Sequence, residues 1–149
     1  GFLAGLSVIP SIVLGVVPLV RYLTSGEERK CCNAATGQVA LRALSYALPN
    51  RTVHKLLTEA LSNPKVGTEI KTEIANGLAY RATPGNARAL LNNLKSENHE
   101  LRYHSLLALA RTDQALSQSS ASGLTEDSDK RVRLLAYTIL DGKDPFGLT

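Results

Sequence analysis

The chain has 149 residues, 44% of them apolar and 20% charged, with a net charge of +4. That apolar share excludes a disordered chain, and the length suits one domain able to bury a core. The charge permits an acidic partner, an anionic membrane surface or nucleic acid, and demands none of them. Two adjacent cysteines, Cys31 and Cys32, exclude a disulfide framework, because neighbours cannot reach bridge geometry without strain.

With Gly1 first and no Met anywhere, the chain reads as processed or as a fragment. Residues 2–20 then run for nineteen positions without a charge, close to the ~20 apolar residues that span a hydrocarbon core as a helix. Arg21 and Tyr22 close the run, and Glu27, Glu28, Arg29 and Lys30 follow, as at a membrane boundary. Pro10, Pro18, Gly5 and Gly15 interrupt it. A soluble helix would lose about 3 kcal/mol per interior proline, whereas membrane helices tolerate such breaks. Residues 1–23 are therefore expected to be membrane-embedded. A retained signal-peptide core and an apolar cap on the following helices are the competing readings. Basic Arg21, Arg29 and Lys30 lie only after the run, which places the remainder on the cytoplasmic side. Residues 24–36 form a polar hinge. Within it, Cys31 and Cys32 are candidates for juxtamembrane palmitoylation, against the blander reading of two unmodified thiols.

From residue 37 to 142 the chain repeats itself every 31 residues. Val39, Ile70, Leu101 and Val132 open the four copies, followed by Ala40, Lys71, Arg102 and Arg133. Four, seven and eight residues further on, the copies carry Ala43, Tyr46, Ala47; Ile74, Gly77, Leu78; Ser105, Ala108, Leu109; and Ala136, Ile139, Leu140. These offsets trace one helical face, and a period of one helix pair marks a stacked array. The repeat helices are expected at 38–48, 68–80, 99–111 and 130–140, alternating with helices at 51–62, 86–95 and 114–122. Pro49, Asn63-Pro64, Thr83-Pro84-Gly85 and Asp141-Gly142 supply the stops. Asn50, Asp113 and the run Asp127-Ser128-Asp129 supply the caps. Serine-rich 114–122 is the weakest helix, expected to be short, mobile or poorly packed. Residues 143–149 are expected to trail off as a tail.

No chemical centre emerges from the remaining residues. His99 and His104 are five apart, about 140° round a helix, and so do not form a metal pair. Glu69 and Glu73 share a helix face and read as a solvated charge stripe. Tyr46, Tyr80, Tyr103 and Tyr137 fall at four different repeat offsets, which excludes an aromatic ladder for stacking bases. No catalytic residue, cofactor or metal ligand is expected.

The helix–turn–helix unit with an aliphatic-basic opening resembles the HEAT repeat, in its short bacterial form of about thirty residues related to phycobilisome lyase-type proteins. Ile70-Lys71 to Leu78, Leu101-Arg102 to Leu109 and Val132-Arg133 to Leu140 carry the resemblance, whereas the first copy departs from it with Ala40 at the basic position. The resemblance implies an all-α fold, an α-α superhelix of solenoid type. Small residues Ala43, Gly77, Ala79, Ala108 and Ala110 would then lie at close helix contacts. It also implies that the basic ladder Lys71, Arg102, Arg133 bonds acidic or carbonyl groups of the preceding turn, with Glu69, Glu100 and Asp129 at hand. The functional expectation is a non-enzymatic, membrane-tethered scaffold that binds protein partners within a larger assembly. A nucleic-acid-binding HEAT-like module is the runner-up, disfavoured by evenly mixed charge. A lyase-like subunit acting on a tetrapyrrole-bearing protein rests on the repeat type alone.

Overall fold

The structure, a computed structural model, describes residues 51–80 and 84–147. The described residues form six α-helices and two short 3-10 turns, with no strand among them. The expected first copy at Val39, the apolar run 2–20, the hinge with Cys31 and Cys32, and the Asn50 cap lie outside the described residues.

Helix α1 (Arg51–Ser62) buries Leu57, Ala60 and Leu61 on one stripe and ends where Pro64 cannot continue it. Asn63 shapes the turn, its Oδ1 accepting from the Lys65 amide at 2.9 Å. Helix α2 (Thr68–Ala79) starts at Gly67, which offers no capping side chain, and buries Ile70, Ile74, Ala75, Gly77, Leu78 and Ala79. A 3-10 turn at Pro84–Asn86 feeds α3 (Ala87–Asn93), shorter than the helix expected over 86–95. Two buried asparagines join α3 to α1: the Thr58 hydroxyl pairs with Asn86 Oδ1, and Asn93 Nδ2 donates to the Leu61 carbonyl at 3.3 Å.

Helix α4 (His99–Thr112) is the centre of the described helices. Asn98 caps it through Oδ1, which accepts from the Leu101 amide at 3.1 Å. It packs against α2 and α3, and against α5 (Gln114–Ala121) and α6 (Lys130–Leu140). Leu101, Arg102, Ser105, Leu106, Leu107, Ala108 and Leu109 are consequently all buried. Leu101, Leu106 and Leu109 lose essentially all their surface, each worth about 1.5–3 kcal/mol of apolar burial. Helices α2, α4 and α6 make one row of neighbours, since α4 touches both others. Helices α1, α3 and α5 lie alongside that row, α1 on α2 and α3, α3 on α4, and α5 on α4 and α6.

One expectation is met in part and another is corrected. Helix α5 is short, as expected, at eight residues, yet it packs on α4 and α6 with Ser117 and Ala121 buried. Asp113 caps it, accepting from Leu116 at 3.0 Å. Its serines turn their hydroxyls onto carbonyls of their own helix: Ser117 to Gln114 at 2.8 Å and Ser120 to Leu116 at 2.7 Å. That satisfies the polar atoms locally and leaves a slim face for close packing. The residues after α6 do not simply trail off. Gly142 (φ +69°) ends the helix in the left-handed conformation, and the Lys143 amide donates to the Thr138 carbonyl at 3.1 Å. The chain then returns, and Phe146 packs half-buried against the core beneath the Arg111 guanidinium, 4.2 Å from its ring centre.

Candidate functional site

The basic ladder is the strongest polar feature among the described residues, and its members differ sharply. Arg102 stands in the first turn of α4 and is 8% exposed. Its Nη1 donates to the carbonyls of Ser96 and Glu97, at 2.8 and 2.9 Å. Its Nε and Nη2 fork onto the Asp127 carboxylate at 2.8 and 2.7 Å, and Nη2 also donates to the Ser128 hydroxyl at 3.2 Å. One guanidinium thereby ties the turn before α4 to the turn before α6. The planar fork of arginine suits this bidentate contact, which a lysine could not reproduce.

Asp127 is shared between two helices. Its side chain, 6% exposed, holds Arg102 and accepts from the Asp129 amide at 2.8 Å. Its carbonyl accepts from Arg133 Nη1 at 2.5 Å, with the Ser128 carbonyl beside it at 3.0 Å. The Arg102 guanidinium holds the Asp127 carboxyl below the usual carboxylate range, against burial that pushes it up. Reciprocally, Asp127 pushes the Arg102 guanidinium further up.

The carbonyl half of the family-derived expectation agrees with this geometry at Arg102 and Arg133. The acidic half does not: neither Glu100 nor Asp129 is the partner. Glu100 instead pairs with Arg131 of α6, which holds its carboxyl low. Asp129 Oδ1 caps α6 through the Arg131 and Val132 amides, at 2.8 and 3.3 Å. Asp127 was legible only as part of a cap. Its role as a partner depends on a residue 25 positions earlier, across a full helix pair. The available signal was register: Asp127 stands one period after Ser96, whose hydroxyl accepts from Asn98 just as Asp127 accepts from Asp129.

Among the described residues Lys71 makes no such clamp. It is half-buried, and burial lowers its ammonium pKa. Ser96, where the register would put an acid for it, has no charge to offer. Ile70, Leu101 and Val132, the aliphatic openers, are all buried in the helix packing. Val39 lies outside the described residues, as do Cys31 and Cys32.

His99 and His104 do not share a face, yet both approach Glu100, at 3.6 and 3.7 Å. No group of three metal-binding side chains occurs among the described residues. A cleft of about 360 Å³ opens between the end of α4, α5 and the returning tail, with Arg111, Gln114, Ser117, Ile139 and Phe146 on its walls. It was not foreseen, because it exists only once Phe146 folds back.

The outer face of α6 is the remaining distinctive surface. Leu134, Tyr137 and Leu140 are 64%, 50% and 41% exposed. One period earlier stand Tyr103, Leu106 and Leu109, of which both leucines are fully buried beneath neighbouring helices. Compared with family models, curated proteins and solved structures, the chain matches none.

Proposed function

We propose that the chain is a membrane-tethered, HEAT-like helical-repeat scaffold that docks protein partners in a larger assembly and performs no reaction itself. The observation supporting this reading is the buried Arg102–Asp127 ion pair, which joins successive helix units, while four carbonyl bonds fix Arg102 and Arg133 each to the turn before its own helix. Such contacts order neighbouring units and leave their outer surfaces available for recognition. The charge distribution weighs against the nucleic-acid alternative: Arg102 and Arg131 face carboxylates rather than open surface. A steep fall of binding with salt would instead favour nucleic acid.

The tether rests on residues 2–20, for no helix among the described residues is long and apolar enough to cross a membrane. Alkaline carbonate extraction tests it. The 149-residue chain should stay with the membrane, and residues 24–149 should be released while remaining helical by circular dichroism. Protease protection should place the repeats on the cytoplasmic side. A soluble full chain combined with an unstable 24–149 fragment would defeat the tether and favour an apolar cap.

A further inference from the structure

We infer that the outer face of α6 is a docking surface for an amphipathic helix with an acidic N-terminal turn, supplied by a partner protein. The inference rests on the scaffold reading and specifies the partner's chemistry. Leu134, Tyr137 and Leu140 share that face with Arg133, spaced for one side of a helix. The packing of α6 on α4 shows what such a face accepts. The corresponding apolar positions of α4, Leu106 and Leu109, are buried completely among its neighbouring helices, and the corresponding Arg102 receives the Asp127 carboxylate from the turn before α6.

Arg133 repeats half of this arrangement. Its Nη1 holds the Asp127 and Ser128 carbonyls as Arg102 Nη1 holds Ser96 and Glu97. Among the described residues no carboxylate forks onto its Nε and Nη2. A carboxylate entering from a docked helix would complete the clamp.

A second charge narrows the choice of occupant. At the α4–α6 contact, Glu100 in the first turn of α4 meets Arg131 in the first turn of α6. The equivalent of Glu100 on α6 is Arg131 itself, preceded by Lys130. A second copy of α6 would set Lys130-Arg131 against Lys130-Arg131. An acidic first turn satisfies the same position, so charge complementarity disfavours a second copy of α6 and selects a helix that opens on an acid.

The probe is a lactam-stapled peptide of residues 125–142 with Lys130→Glu and Arg131→Glu, stapled on its solvent side to hold the helix. It keeps Asp127. Labelled peptide is titrated with the full chain and followed by fluorescence anisotropy. Saturable binding is expected, weakened at least about tenfold by Arg133→Gln in the chain, the loss typical of a charged hydrogen bond. Leu134→Glu, at an exposed position that leaves the fold unchanged by circular dichroism, should weaken it comparably. Asp127→Asn in the peptide should weaken binding to the native chain but not further to the Arg133→Gln chain. No binding, or binding indifferent to Arg133 and Leu134, overturns the inference. So does equal binding by the peptide without its two substitutions, which makes a second copy the occupant. The scaffold's tether fails separately, by carbonate release of the full chain, an outcome that does not involve α6.

Discussion

At the residue scale, Asp127 makes stability dependent on acid. Its folded pKa lies below its ordinary value, chiefly because Arg102 donates to its carboxylate. The unfolded chain therefore takes up the proton first. The contribution is complete above the ordinary carboxylate value of about 3.9 and disappears as pH falls through the lower folded value. Melting curves should show the native chain losing stability below about pH 4, with a smaller loss in Asp127→Asn, which starts from a lower melting point. Removing the cation is harsher: Arg102→Ala leaves a buried carboxylate and should cost about 3–5 kcal/mol in urea unfolding. Ser105 offers the opposite case. Its hydroxyl is fully buried and without a hydrogen-bond partner among the described residues. Ser105→Ala should raise stability by about 1 kcal/mol, the desolvation cost of the unmatched group. An unchanged midpoint would mean the hydroxyl is satisfied in solution.

At the element scale, α4 has the least freedom, since helices contact it on several sides. Ala108 is fully buried there, and its small side chain permits the approach of its neighbours. Ala108→Leu should overpack and cost about 1–3 kcal/mol, read as a lowered melting temperature, and an unchanged one would show that the face is placed wrongly. The positions of the helices could be read from the chain because aliphatic spacing, prolines and capping side chains are local signals. Asn98, Asp113 and Asp129 each cap the helix that follows them. The state of α5 could not be read the same way. Poor intrinsic propensity suggested weakness, yet the burial of Ser117 and Ala121 between two helices outweighs it. Phe146 was equally illegible, because its position depends on the turn at Gly142 and on Arg111 in a distant helix.

At the scale of the molecule, the ladder is uneven, and its unevenness can be engineered. The α4–α6 junction has an arginine and an aspartate; the α2–α4 junction has Lys71 and Ser96 in their places. Lys71→Arg combined with Ser96→Asp should build a second clamp. Each change alone should be neutral or slightly destabilising, whereas the pair should couple favourably by about 1–2 kcal/mol in a double-mutant cycle. Additive effects would show that the two junctions differ in helix spacing as well as in side chains. The 31-residue period therefore made the recurring helix visible, but not which recurrence carries a working clamp. That depends on two side chains being right together across a helix pair.

The same unevenness makes the two helix junctions mechanically unlike. Among the described residues the α2–α4 side is the broader helix contact and lacks a clamp, whereas the narrower α4–α6 side has one, so the two sides resist separation by different means. Across the α4–α6 side, Asp127 grips Arg102 with its side chain and Arg133 with its backbone, so the two helices must release together.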